Sequence, residues 1–185
     1  MPRISGPMAI ALFAISGVLP AQADTRGTAP HLHGQGTIQL IADGTELAID
    51  LTAPGADLFG FEHSPHSPEE ISISEDVLRR LAEPLALFVP DAACTVISTD
   101  IDAGALAHSE AEEDHDHGDD HDHGGDHANL HAQYRFECDR PVQRLDLAYC
   151  QAFPAIELLA VQGLVDGVAL IQDVHCTDPQ LVLRQ

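Results

Sequence analysis

Apolar and polar positions alternate in two neighbouring runs, Thr37-Ile38-Gln39-Leu40-Ile41 and Thr45-Glu46-Leu47-Ala48-Ile49-Asp50-Leu51, with Asp43-Gly44 between them. A period of two is that of a strand with one buried face, and an Asp-Gly pair supplies the positive φ angles of a tight hairpin. From residue 67 to about residue 87 the signals become helical. Ser67 can cap, Pro68 fits the first turn, Glu69 and Glu70 suit the positive dipole end, and Val77, Leu78 and Leu81 follow at helical spacing, with Pro84 expected to end or kink the helix. Residues 94–101 and 133–138 read as strands, the second with Tyr134 and Phe136 on one face, and residues 142–150 alternate again. Phe153-Pro154 opens a segment that fits one helical turn. Residues 156–165, 168–174 and 181–183 read as two or three further strands, with Asp166-Gly167 as a second hairpin turn. The sum predicts an α+β fold: an antiparallel sheet, one main helix packed on one face, and a loop hanging from one edge.

That loop is the stretch from His108 to His131, where seven histidines (His108, His115, His117, His121, His123, His127, His131) are interleaved with nine acidic residues. With almost nothing apolar to bury, residues 107–132 are expected to form a flexible insertion whose composition serves chemistry rather than packing. Neutral imidazole is a common metal ligand, and the carboxylates raise the local concentration of divalent cations. A solvated acidic spacer is the plain alternative, but Asp and Glu alone would supply one. At the other extreme, residues 1–23 carry Arg3, an apolar run at residues 8–19, and Ala21-Gln22-Ala23 before Asp24. This is the pattern of a cleavable secretory signal, too short for a membrane span. The remainder, residues 24–185, is expected to form a single exported domain.

Eight Lys and Arg residues against 30 Asp and Glu give a net charge of -22, and all the basic residues are arginine. Phosphate binding needs the opposite sign, so nucleic acid is excluded and docking on an anionic membrane disfavoured. Both methionines, Met1 and Met8, lie in the signal, so no thioether remains to favour Cu(I). Four cysteines in an exported chain read as two disulfides with three possible pairings. The favoured pairing joins Cys94 with Cys138, on segments flanking the insertion where a bridge would pin its base, and Cys150 with Cys176. A thiolate zinc site is the rival reading, weakened by the lack of any C-x-x-C pair.

Outside the insertion four of the five histidines fall in two groups, His31 and His33 before the first strand and His63 and His66 before the helix, with Glu62 adjacent, while His175 beside Cys176 reads as structural. Residues two apart in an extended segment face the same side, and a turn at Pro65 can bring His63 and His66 together. Three or four of these groups meeting on one ion would make an ordered zinc site, tighter than the insertion. In the alternative, His31 and His33 fray and His63 simply bonds a backbone carbonyl. No H-E-x-x-H, G-x-S-x-G or Gly-rich phosphate loop is present, so binding rather than catalysis is expected.

The segment His33-Gly34-Gln35-Gly36, the Asp-Gly hairpin, residues 54–65 with Gly60-Phe61-Glu62-His63-Ser64-Pro65 as the most specific part, Cys94-Thr95, the His/Asp insertion, Tyr134-Arg135-Phe136-Glu137-Cys138 and Ala152-Phe153-Pro154-Ala155 together resemble the bacterial ZrgA family. The resemblance covers most of the chain after the signal. It implies a periplasmic zinc-binding protein that supports zinc uptake alongside an ABC importer, with His33, Glu62 and His63 as the matched polar positions; Cys150 and Cys176 are not part of the pattern. The rivals are a nickel, cobalt or copper(II) handler, since imidazole-rich sites bind all of these, then a zinc hydrolase with Glu62 as base, then an acidic module for a basic partner.

Overall fold

The computed structural model describes residues 32–107 and 128–184. Strands β1 (Gln35–Asp43) and β2 (Glu46–Pro54) form the expected hairpin, Asp43 pairing with Glu46 around Gly44 at φ 54°. The alternation acts as it should: Ile38, Leu40 and Ala42 on one strand and Leu47, Ile49 and Leu51 on the other are buried, while Gln39, Ile41 and Glu46 face out. Strand β5 (Asn129–Cys138) pairs antiparallel with β2, and β4 (Cys94–Asp102) with β5. On the other side β7 (Leu158–Val165) lies parallel to β1, and β8 (Val168–His175) returns along β7 through Asp166-Gly167. The strand order is β4-β5-β2-β1-β7-β8.

Three short strands form a second sheet: β3 (Phe88–Pro90), β6 (Arg144–Leu147) and β9 (Gln180–Val182), in the order β3-β6-β9. Helices are brief: α1 (Gly55–Phe59), α2 (Pro68–Leu81), α3 (Pro84–Leu87) and α4 (Tyr149–Ala152). This corrects the α+β expectation. Strand accounts for 47% of the described residues and helix for 23%, in nine strands and two sheets, so the protein is mostly β rather than one sheet under one main helix. Two physical causes account for the error. Pro84 removes a backbone donor and splits the helical run into α2 and α3, and three-residue strands such as Phe88–Pro90 are too short to show a period. The larger sheet is also mixed, not antiparallel, because β1 and β7 run parallel.

The core lies between the two sheets. Phe88 of β3 stands between Tyr134 of β5, at 5.6 Å between ring centroids, and Tyr149 of α4, at 5.9 Å, and Tyr149 packs on Phe153 at 4.9 Å. Both tyrosine hydroxyls are buried without a hydrogen-bond partner, and burial raises the pKa of each. Helix α2 starts with a full capping box: the Ser67 side chain accepts from the Glu70 N–H, and the Glu70 carboxylate accepts from the Ser67 N–H. Val77 and Leu81 bury its inner face, and the Ser74 hydroxyl donates to the Leu106 carbonyl at 2.6 Å. That bond ties the helix to the 3₁₀ turn Gly104–Ala107, where the described chain leaves β4.

Two bridges are present, Cys94–Cys138 and Cys150–Cys176. The first joins directly paired residues at the start of β4 and the end of β5. It therefore closes the end of this hairpin opposite the insertion, and does not pin the insertion's base as the sequence suggested. With nine residues in β4, bridge and base are separated by about 26 Å of strand.

Asp166 links three segments. Its carboxylate accepts from the Gly44 N–H at 3.2 Å and receives Arg184 in a two-pronged pair at 2.7 Å each, while Arg184 also donates to the Val142 carbonyl. The Arg184 bonds, then the Gly44 N–H, lower the Asp166 pKa from 3.8 to about 2. A carboxylate whose folded pKa is depressed contributes stability above its unfolded value and loses it below. Its contribution should thus be complete above pH 3.8 and vanish as pH falls from there to about 2. Asp166→Asn is expected to lower the melting temperature at pH 7 and to flatten the stability profile in that window. Parallel profiles for the two proteins below pH 4 would refute this assignment.

Candidate metal centre

The turn between α1 and α2 carries three of the polar positions that the sequence singled out, Glu62, His63 and His66. Helix α1 ends at Gly60 in the left-handed region, φ 82°, which swings the chain into Phe61, Glu62 and His63. Four rings then form a ladder from core to solvent. Phe59 tilts against Phe61 at 6.0 Å, Phe61 stacks on His63 at 5.3 Å, and His63 stacks on His66 at 5.2 Å with only 13° between the planes. The buried Phe59 anchors one end and the exposed His66 forms the other.

The pair is held by Glu70. One of its carboxylate oxygens accepts from the N–H groups of His66 and Ser67, at 2.9 and 3.0 Å, and the other faces His63 Nε2 at 3.9 Å. These bonds, His66 first, hold the Glu70 carboxyl below its usual range, so it stays ionised beside the imidazoles. His63 Nδ1 lies 2.8 Å from the Ser64 carbonyl oxygen, the backbone contact considered above for this residue, which leaves Nε2 on the Glu70 side. Glu62 is half-buried next to His63.

The other candidates are placed elsewhere. His33 precedes β1 and is exposed, with Nδ1 3.6 Å from Asp57, a largely buried α1 carboxylate that also accepts from the Gly34 N–H at 2.7 Å. His131 sits not in a loop but within β5, which begins at Asn129, and its Nδ1 is 3.1 Å from the Thr52 hydroxyl on β2. His31, His108, His115, His117, His121, His123 and His127 lie outside the described residues. Among the described residues, no three His, Cys, Asp or Glu side chains converge as a metal-holding group. The joint site of His31, His33, Glu62, His63 and His66 is therefore not assembled by the part of it that can be placed.

Two carboxylates next to these histidines, Glu70 and Asp57, were not among the candidate ligands. Glu70 was legible, because Ser67 and Glu70 have the spacing of a capping box and a capping Glu must fold back toward the residues before the helix. Asp57 was not: nothing in its neighbourhood indicates that it turns back 23 positions to Gly34.

Two imidazoles and the Glu70 carboxylate therefore share a surface turn of a mostly β protein. The chain matches the profile of the ZrgA family of zinc uptake proteins over residues 30–183. It belongs to that family and so takes part in zinc uptake. No curated protein matches the chain. Among the described residues no helix is long and apolar enough to cross a membrane.

Proposed function

We propose that this protein is an exported, periplasmic zinc-binding accessory of zinc uptake rather than an enzyme. The insertion collects Zn²⁺ at many weak imidazole and carboxylate positions. The turn bearing His63, His66 and Glu70 is the ordered receiver, from which a component of a zinc importer takes the ion. The observation that carries this reading is the stacked His63–His66 pair with Glu70 held ionised against it, in a chain of a zinc uptake family. Both imidazoles are exposed, and exposed side chains change rotamer within picoseconds to nanoseconds, so the pair can adjust its geometry around an ion. The signal-like residues 1–23 and the two bridges support an oxidising compartment.

The test is zinc titration by calorimetry and native mass spectrometry on the chain from Asp24, on a deletion of residues 110–127, and on His63→Ala/His66→Ala. The deletion should lose the weak sites and keep one tight site; the double substitution should do the reverse, weakening the tight site at least tenfold. If the double variant binds zinc like the parent, the turn is not the receiver. If the deletion also leaves stoichiometry unchanged, the collector role falls.

A further inference from the structure

We propose that the outer face of the six-stranded sheet is a docking surface for a protein whose own contact patch is apolar at its centre and basic at its rim. This goes beyond zinc binding and uses none of the residues of the His63 turn. Among the described residues no element covers this face. Across its middle lies a depression of about 620 Å³ over β1, β2, β5, β7 and β8, whose lining includes the outward side chains of Gln39, Ile41, Asp50, Arg135, Leu164 and Ile171. Ile41 of β1 and Leu164 of β7 are registered neighbours, and Ile171 of β8 lies one pair further along, opposite Gln162. These three are 56%, 46% and 84% exposed, and Leu164 on the middle strand lies between the other two. Isolated exposed apolar residues are ordinary on any protein, whereas a contiguous strip on a concave face marks a contact surface.

The charge around the strip selects the partner. Asp43, Glu46, Asp50, Asp100, Asp102, Glu137 and Asp173 point outward from this face, against the single cation Arg135. A second copy would bring the same carboxylates face to face, and like-charge juxtaposition across an interface costs several kcal/mol. Anionic lipid and nucleic acid are repelled for the same reason. A basic rim around an apolar centre satisfies both features at once. Five strands of about eight residues present roughly 600 Å², close to the roughly 800 Å² that each partner contributes to a standard interface.

The probe is a synthetic amphipathic peptide of leucine and lysine, compared with an all-lysine peptide of equal charge, each titrated into the chain from Asp24. A chelator is present throughout, so that failure of the zinc reading cannot affect the result. The amphipathic peptide should bind at least tenfold more tightly than the all-lysine one, with amide shifts at Gln39 and Gln162. Ile41→Ser/Leu164→Ser/Ile171→Ser should abolish that preference, whereas Ile73→Ser/Val182→Ser, at exposed apolar positions elsewhere, should preserve it. Asp50→Asn/Asp173→Asn, which spares the strip and the fold, should weaken binding and its salt dependence. Equal affinity for the two peptides, or an unchanged preference in the strip variant, would overturn the proposal. So would a concentration-dependent dimer that dissociates in the strip variant, which would assign the face to a second copy.

Discussion

Gly163→Ala is expected to destabilise the protein by roughly 3 kcal/mol or more, the upper end of the range for inserting atoms into a packed site. Gly163 of β7 pairs with Leu40 of β1 and with Leu170 of β8, so strands flank it on both sides in the larger sheet. A Cβ added there would fall inside the contact radius of the Leu40 carbonyl oxygen and stand only 2.7 Å from its carbonyl carbon and 3.0 Å from its nitrogen. The obstacle is backbone in a central strand, so no side-chain rotation relieves it, and β1 and β7 must separate. Among the described residues the parallel β1–β7 ladder is the only strand pairing that joins β7 and β8 to the rest of the larger sheet, so strain at this position loosens two strands together. Urea denaturation should show the midpoint falling with the slope unchanged, and a melting temperature lower by roughly 10 °C. Gly44, which has nothing within 4 Å of its added Cβ, provides a control in which only the φ preference is lost and the cost should be far smaller. Equal losses at the two positions would show that the close approach at Gly163 does not exist.

The same residue shows what one-dimensional pattern can and cannot convey. The hairpin β1–β2 was legible because its alternation and its Asp-Gly turn are local, and Ser67 with Pro68 marked the start of α2 for the same reason. Nothing local says that residues 158–165 lie parallel to residues 35–42, more than 100 positions away, since a strand buried on one face looks alike whichever neighbour it takes. The second sheet escaped for a related cause: residues 142–150 and 181–183 already carried strand patterns, but nothing local says that Arg144–Leu147 and Gln180–Val182 pair with each other in a sheet of their own. Of the candidate site, the types of residue were legible and their grouping was not. His63 and His66 are neighbours through a local turn, so the sequence could place them together. His33 and His131 depend on where distant strands run, and the fold seats them beside Asp57 and Thr52 instead.

Removing both bridges should have a larger effect still, and the two should be separable in what they disturb. The chain-entropy model assigns about 4 kcal/mol to a bridge across 44 residues and about 3.5 kcal/mol to one across 26, the separations of Cys94–Cys138 and Cys150–Cys176. Cys94→Ala/Cys138→Ala and Cys150→Ala/Cys176→Ala are each expected to lower the denaturation midpoint by a corresponding amount. Their combination should leave little net stability in a domain of this size, whose total is of order 5–15 kcal/mol. The position of the first bridge adds a functional consequence. It closes the β4–β5 hairpin at Cys94 and Cys138, whereas the insertion springs from the Asp102 and His131 end, where the ladder itself fixes the spacing. So long as the strands stay paired, loss of this bridge should leave the number of weakly bound zinc ions unchanged, even as the fold becomes easier to melt. Mass spectrometry under native conditions, at a temperature well below the variant's midpoint, would read both quantities in one sample. If zinc stoichiometry dropped while circular dichroism still reported the native sheet, the bridge would govern the insertion from the far end of the hairpin. A full complement of zinc on a less stable fold would instead show that the sheet alone presents the insertion.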